Sequence, residues 1–266
     1  LYDTQYAVID NFLVFKFWAG EQLAYMMPVG SGDLKAILRE LIEDADKEKH
    51  NFCMLGVCSN MRADLEAILP GQFTFTENRD YADYIYLRSD LATLKGKKFQ
   101  AKRNHINRFR NTYPDYEYTP ITPDRIQECL DLEAEWCKVN NCDQQEGTGN
   151  ERRALIYALH NFEALGLTGG ILHVNGKIVA FTFGMPINHE TFGVHVEKAD
   201  TNIDGAYAMI NNEFANHIPE QYIYINREED LGLEGLRKAK LSYQPVTILE
   251  KYMACLKDHP MDIIRW

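Results

Sequence analysis

The chain has 266 residues, of which 45% are hydrophobic, 12% aromatic and 25% charged, and these proportions exclude a disordered or fibrous protein. A formal net charge of −11 argues against nucleic-acid or anionic-lipid binding over the whole surface. Residues 95–110 nevertheless hold seven Lys and Arg and no acid, so a local anion site remains compatible with an acidic protein.

The sequence contains no recognisable targeting segment or cysteine motif. There is no apolar run near the ~20 residues that span a bilayer, no signal peptide and no Cys-x-x-Cys among the six cysteines. We therefore expect reduced thiols, a cytoplasmic protein and no metal site. Because Leu1 leads directly into a strand-like pattern, we also expect that the native start is missing and that the first domain is incomplete.

The first half predicts a three-stranded meander followed by alternating helices and strands. A helix after Ser31-Gly32-Asp33 has its apolar residues at i, i+3 and i+4 spacing, which indicates one buried face. Pro70-Gly71 ends a second helix that begins at Ser59 or Asn60. The predicted strands are Gln5–Ile9, Asn11–Trp18, Glu21–Pro28, Phe52–Val57, Phe73–Thr76 and Ala82–Leu87.

The second half predicts the same order of elements. Asn175-Gly176 is a strong hairpin signal between two strands. Helices are expected from Asp204-Gly205 to about His217 and over Leu233–Leu241. The predicted strands are Gly170–Val174, Lys177–Pro186, Thr191–Glu197, Tyr222–Asn226 and Gln244–Met253.

Three helices, at about 95–111, 123–139 and 150–165, join the halves, with a polar loop at Asn140–Asn150. Each half therefore has a β-hairpin, a strand, a helix, a strand, a helix and a strand. This order predicts an α/β (α+β) protein in which helices flank a mixed, twisted sheet in each half. We place the domains at residues 1–93 and 94–266.

Several segments resemble known transferases. The order of elements in 169–255 resembles the GNAT acetyltransferase fold. The segment Leu94–Arg108 looks like the basic helix of Fem-type aminoacyltransferases, and Gly235–Tyr243 looks like their late "GL..FK..F" segment, with Ala239 where an aromatic is usual. With its Asn226–Gly232 run, the whole chain is most similar to a family grouped with the C-terminal domain of phosphatidylglycerol lysyltransferase. The resemblance implies tandem GNAT-like domains that transfer an acyl or aminoacyl group.

The acid-free basic helix is the first candidate site. Lys102, Arg103 and Arg108 are suited to phosphate through charge-assisted hydrogen bonds, whereas a structural helix usually alternates its charges. The alternative is a solvated charged face. In the resembled family this helix lies near a nucleotide-bearing donor. Gly205 and Lys238 complete the expected donor set.

Two acid–base candidates lie on the strand Thr191–Glu197. Alternation places His195 and Glu197 on one face, with Phe192, Val194 and Val196 on the other. In GNAT-like folds this strand diverges from its parallel neighbour, here Tyr222–Asn226. We expect His195 or Glu197 to take the proton of an attacking amine, although a purely structural pair stays open.

The loop that follows the neighbouring strand is the candidate substrate site. Its acids suit a cationic amine, but Asp230 also fits a helix N-cap. In the resembled family Lys240 faces the reacting carbonyl or the donor phosphate, where it would stabilise an oxyanion. Surface lysine is the alternative. The expected substrate contacts are Asn226, Arg227, Glu228 and Asp230.

The donor is constrained by a missing motif. CoA-binding GNAT enzymes carry a glycine-rich loop before the equivalent helix, whereas residues 198–206 here have one glycine and two aspartates. We expect an aminoacyl group to pass from aminoacyl-tRNA to an amine or hydroxyl of a small molecule, peptide or lipid, without a covalent enzyme intermediate or resident cofactor. The alternatives are an acyl-CoA-dependent N-acetyltransferase and a non-catalytic module for tRNA or a phosphorylated ligand.

Overall fold

The computed structural model describes residues 3–140 and 146–257. The chain divides into two compact units. The first unit comprises Leu1–Ala82 and Leu249–Trp266, and the second comprises Asp83–Ile248. Each unit has its own mixed sheet with helices packed on it, as the sequence predicts.

The sheet of the first unit has the strand order β1-β2-β3-β5-β14-β6, and β4 also pairs with β2. Its helices are α1 (Leu34–Lys47) and α2 (Ser59–Ile68). The strands are β1 (Gln5–Ile9), β2 (Phe12–Ala19), β3 (Gln22–Met26), β4 (Val29–Gly30), β5 (Cys53–Val57), β6 (Phe73–Glu77) and β14 (Tyr252–Leu256).

Helix α1 illustrates how the sequence pattern becomes packing. The Asp33 side chain accepts a hydrogen bond from the Ala36 amide at 3.1 Å and so caps the first turn. The predicted apolar stripe is buried against the sheet, with Ile37 and Leu38 fully inaccessible. Leu23 and Tyr25 of β3 belong to the same core.

The sheet of the second unit has the strand order β13-β7-β12-β11-β10-β9-β8. Its strands are β7 (Asp83–Leu87), β8 (Glu117–Pro120), β9 (Thr168–Val174), β10 (Lys177–Pro186), β11 (Thr191–Ala199), β12 (Tyr224–Asn226) and β13 (Thr247–Leu249). Its helices are α3 (Arg88–Thr93), α4 (Gln100–Thr112), α5 (Ile126–Asn140), α6 (Glu146–His160), α7 (Ala206–His217) and α8 (Glu234–Leu241). One core packs α4 and α7 on the sheet, and another packs α5 and α6.

The division of the chain differs from the expected boundary at residue 93. Strand β7, assigned to the first half by sequence order, pairs antiparallel with β12 in the second sheet. Strand β14, assigned to the second half, pairs with β5 and β6 in the first sheet. Local patterns identify each strand, but they do not show which sheet the strand joins.

Other local predictions also change. The segment Gln244–Met253 is two strands rather than one, and the short elements α3, β4 and β8 were not predicted. The basic helix begins at Gln100, because Leu94 and Gly96 have positive φ and a 3₁₀ turn occupies Lys97–Phe99. Part of the predicted loop Asn140–Asn150 lies outside the described residues.

The expectation of reduced thiols is wrong for one pair. Cys53 of β5 and Cys255 of β14 form a disulfide, with 4.1 Å between their Cα atoms. The two residues are direct partners across an antiparallel pair, where facing Cβ atoms come close enough to bridge. The 202-residue separation hides this proximity from sequence spacing.

Candidate active site

The opening implied by the GNAT resemblance lies between β11 and β12. The two strands pair in parallel over only three positions, Thr191–Gly193 opposite Tyr224–Asn226. Strand β11 continues to Ala199, whereas residues 227–233 form a loop that leads into α8. Polar side chains of β11 beyond Gly193 therefore face this loop instead of a neighbouring strand.

His195 is the extra residue of a β-bulge. Phe183 pairs with Val196 but Gly184 pairs with Val194, so His195 has no partner on β10. A bulge reverses the alternation beyond it and re-aims a side chain. The predicted grouping of Val196 with Phe192 and Val194 is consequently wrong: Val196 packs in the α5–α6 core, while the other two pack in the α4–α7 core.

The bulge places His195 against the loop after β12. Its Nδ1 lies 2.6 Å from Oε1 of Glu228, and both side chains are about one-third exposed. An ionised carboxylate only accepts hydrogen bonds, so Nδ1 carries the proton in this pair. Nε2 is then left with a lone pair that can accept a proton.

Glu197 has a different environment from His195. One carboxylate oxygen accepts from Arg227 Nη2 at 2.9 Å, and the other accepts from the Asn211 amide of α7 at 3.0 Å. Both the charge and the lone pairs of this carboxylate are therefore engaged. These two contacts join Glu197 to Arg227 and to α7.

The loop after β12 has an unusual backbone. Glu228 and Leu231, with φ of 56° and 52°, adopt the left-handed region that non-glycine residues rarely occupy. Asn226 stabilises the first bend, because its side-chain oxygen accepts from the Glu228 amide at 2.7 Å. Held strain of this kind is common at functional sites.

Lys240 of α8 fastens the same loop. Its ammonium donates to three successive carbonyl oxygens, those of Arg227, Glu228 and Glu229. An ammonium has three donors, so none remains for an oxyanion. Burial, reinforced by the nearby charge of Arg227, lowers the pKa of Lys240 to about 8, and the side chain stays protonated at pH 7.

Asp230 is also engaged within the protein. It is fully buried, and its carboxylate accepts from Arg237 at 2.8 Å through both Nε and Nη2. Tyr84 and the Gly232 amide donate to it as well. The Arg237 hydrogen bonds hold the pKa of Asp230 well below its usual range. This carboxylate joins the loop to α8 and does not face the opening.

The basic segment is divided among three tasks. Lys102 reaches the site, with its Nζ 3.9 Å from the centroid of the Tyr243 ring. Arg103 donates to the carbonyls of Leu94 and Gly96 and so holds the turn before α4. Arg108 pairs with Asp204 at 2.6 Å. Of the three expected donor residues in this segment, Lys102 is the one that lies against Tyr243, and the Tyr243 ring also adjoins Arg227.

The remaining two donor candidates lie elsewhere in the second unit. Lys238 is exposed on α8. Gly205, with φ of 86°, lies directly before α7, and a Cβ there would come within 2.8 Å of the His105 carbonyl oxygen. The glycine therefore lets α4 and α7 approach closely, and the charge of Asp204 beside it is paired with Arg108.

A family model described as phosphatidylglycerol lysyltransferase, C-terminal, matches residues 2–255. The chain belongs to this family. The family relates it to transferases. Within residues 3–140 and 146–257, none of the helices combines the length and the apolar composition that a membrane span requires.

Solved structures show the same fold for this family member. A conserved protein of unknown function from Bacteroides thetaiotaomicron VPI-5482 is 94% identical, with a TM-score of 0.94 over 97% of this chain and 87% of that one. The C-terminal domain of a putative lysylphosphatidylglycerol synthetase from Agrobacterium fabrum is 14% identical, with a TM-score of 0.73 over 96% and 84%. A tandem GNAT protein from the clavulanic acid biosynthesis pathway is 10% identical, with a TM-score of 0.51 over 94% of this chain and 80% of that one.

One curated relative matches a smaller part of the chain. An uncharacterised protein of Mycoplasmoides gallisepticum is 26% identical over 175 residues, which are 64% of this chain. The chain thereby spans about half the length of that relative, 55%.

Sequence reasoning missed four side chains that build the site of this family member. Tyr86 donates to the Lys240 carbonyl at 2.8 Å, and Tyr84 donates to Asp230. The period-two pattern of Tyr84 and Tyr86 predicts a shared face, but nothing local links that face to α8. The missed residues are Tyr84, Tyr86, Asn211 and Arg237.

Proposed function

We propose that this chain transfers an aminoacyl group from aminoacyl-tRNA to an amine or hydroxyl acceptor, with His195 as the proton acceptor. The observation that carries the proposal is the His195–Glu228 pair at 2.6 Å, on a bulge at the opening between β11 and β12. The family supports transfer chemistry. The acceptor class extends to small molecules, peptides and lipids.

The reaction needs one proton path and no enzyme-bound intermediate. The acceptor N–H or O–H attacks the ester carbonyl, a bond forms between the nucleophile and the carbonyl carbon, and its proton moves to His195 Nε2. The ester C–O bond then breaks, and the ribose oxygen of the tRNA takes a proton from the imidazolium. Glu228 stabilises that imidazolium, as a carboxylate partner does in other acyl-transfer sites.

The roles of the other site residues follow from their contacts. Lys240, Asp230 and Asn226 position the loop that carries Glu228. Glu197 positions Arg227. We assign these residues positioning roles and reserve direct participation in proton transfer for His195.

An acyl-CoA donor is the second candidate, since a tandem GNAT protein shares the fold. The close packing of Gly205 on α4 favours the tRNA ester over pyrophosphate, because the His105 carbonyl oxygen already lies against the backbone at the start of α7. Incubation with a panel of aminoacyl-tRNAs and acyl-CoAs, with labelled acyl groups followed into acceptors, tests both donors.

The expected result is transfer from aminoacyl-tRNA that falls by roughly 10²–10⁴ in His195→Gln. His189→Gln is a matched control, because His189 is 87% exposed beside Glu190 at the β10–β11 turn. Transfer from acyl-CoA but not from aminoacyl-tRNA would show that acyl-CoA is the donor. Binding of tRNA without transfer from any donor of either panel would show that the chain is a binding module rather than an enzyme.

A further inference from the structure

The guanidinium of Arg227 is only half satisfied. Its Nη2 donates to Glu197, whereas its Nη1 is buried with no hydrogen-bond partner among the described residues. The rings of Tyr243 and Tyr86 lie 5.0 and 5.7 Å from its Cζ atom. A buried donor on a charged group destabilises the fold as long as it stays unpaired.

Lys102 is a second cation at the same aromatic ring. Its Nζ lies over Tyr243, and it has no ion-pair partner within 4.0 Å in residues 3–140 and 146–257. Burial, with a further contribution from the charge of Arg227, lowers the pKa of Lys102 to about 8. The four-carbon stem would allow this side chain to extend into solvent, but its ammonium lies against the ring of Tyr243 instead.

The charges around Tyr243 therefore do not balance. Arg227 and Lys102 bring two positive charges, and Glu197 brings one negative charge that already binds Arg227 and Asn211. Lys240 does not supply the balance, because it is itself a cation and donates to carbonyls. An incoming anion would satisfy Nη1 and relieve the repulsion between the two cations.

We infer that Arg227 Nη1 and Lys102 bind an anionic group, a phosphate or a carboxylate, of the ligand that enters the opening. Arg227 directly precedes Glu228, so this anion lies on the same loop as the partner of His195. The ligand therefore carries a negative group next to the group that reacts. Only this last placement rests on the proposed function; anion binding itself does not.

The inference is tested by titrating the whole chain with inorganic phosphate, pyrophosphate and acetate at low ionic strength and pH 7. Isothermal titration calorimetry gives the affinity, and the melting temperature gives an independent readout. Arg227→Lys keeps a charge opposite Glu197 but removes the guanidinium fork, and Lys102→Met removes the second cation. Matched controls are Arg153→Lys and Lys97→Met, since Arg153 and Lys97 are exposed.

We expect each site variant to weaken binding at least tenfold and each control to change it less than twofold. Tighter binding of the phosphates identifies a phosphorylated ligand, and tighter binding of acetate identifies a carboxylate ligand. Absence of binding by all three anions, or equal binding by Arg227→Lys and the wild type, would overturn the inference. Anion binding that persists without any transfer would reject the proposed function and keep this site.

Discussion

The two units place a parallel strand pair at corresponding points and use it differently. In the first unit β3 pairs with β5 at Tyr25 and Met26, and α2 begins at Ser59 almost directly after β5. In the second unit residues 227–233 intervene between β12 and α8. That loop supplies Arg227 and Glu228, so the added chain length is what creates the site.

Charge balance separates the units as well. In the first unit Lys16 lies between Asp44 at 2.9 Å and Glu48 at 3.3 Å, and the Tyr25 hydroxyl donates to Asp44. Lys16, Tyr25 and Asp44 line an open groove of about 520 Å³ between β1 and α1, and the charge of Lys16 is matched by acids. In the second unit Arg227 pairs with Glu197, whereas Lys102 at the same Tyr243 ring has no ion-pair partner within 4.0 Å among the described residues. The proposed anion site therefore rests on a surplus of positive charge rather than on the size of a cavity.

The largest expected effect compares one carboxylate from each unit. Asp230→Asn breaks the pair between the fully buried Asp230 carboxylate and Arg237, whose side chain is 33% exposed, and should lower the free energy of unfolding by about 3 kcal/mol. Asp44→Asn removes a half-exposed partner of Lys16 and should cost less than about 1 kcal/mol. Urea denaturation measures both. Equal losses would show that the two carboxylates are held alike.

The same pair has a defined pH dependence. The pKa of Asp230 is held far below that of an unfolded aspartate, so its stabilising contribution is complete at neutral pH. It is lost as the pH falls from about 4 through the lower folded-state pKa. Asp230→Asn should therefore be less acid-sensitive than the wild type over that range.

Next in size is the disulfide of the first unit. Cys255→Ser should destabilise the first unit by about 2–4 kcal/mol, because the bridge closes a loop of 202 residues. Phosphate affinity at Arg227 should not change, since that site belongs to the second unit. Differential scanning calorimetry and phosphate titration measure the two effects. Cys58→Ser, outside the disulfide, is the control, and loss of phosphate binding in Cys255→Ser would contradict the independence of the site.

A third comparison uses one left-handed glycine from each unit. Gly205→Ala combines a φ of 86° with a clash against the His105 carbonyl and should cost about 2–3 kcal/mol. Gly20→Ala has a φ of 66° but nothing within 4 Å of the new Cβ, and about 1 kcal/mol is expected. Thermal unfolding ranks the two. Similar losses would mean that α4 and α7 can move apart freely.

The smallest effect contrasts two lysines. Lys102 has a lowered pKa, so its charge opposes folding at pH 7, and this opposition fades as the pH rises from about 8 towards 10.4. Lys102→Met should raise stability by about 1 kcal/mol at pH 7. Lys16→Met should lower it by a similar amount, because Asp44 and Glu48 outweigh burial and raise the pKa of Lys16. Melting temperatures at pH 7 and pH 9.5 test the opposite signs.

Much of the local structure could be predicted from sequence because it depends on nearby residues. The apolar stripe of α1, the Asn175-Gly176 hairpin and the bounds of β1 and β10 follow from periodicity and turn chemistry. The prediction for β11 failed at His195, since a bulge depends on register with β10 and leaves no mark in the alternation. The site residue Tyr84 was missed because its partner Asp230 lies 146 residues away in sequence.

Sequence alone determined most of the helices and strands and a mixed sheet in each half, because these depend on residue type and short spacing. The family resemblance, rather than spacing, grouped His195, Lys102, Arg227 and Glu228 as candidates for one site. Tertiary structure decided that β7 and β14 join the sheets of the other half, that Cys53 meets Cys255, and that Glu197, Asp230 and Lys240 are engaged by the protein itself. Those outcomes depend on which groups meet across long stretches of chain. Whether a polar or charged group of a side chain is left without a partner is known only after its neighbours are in place.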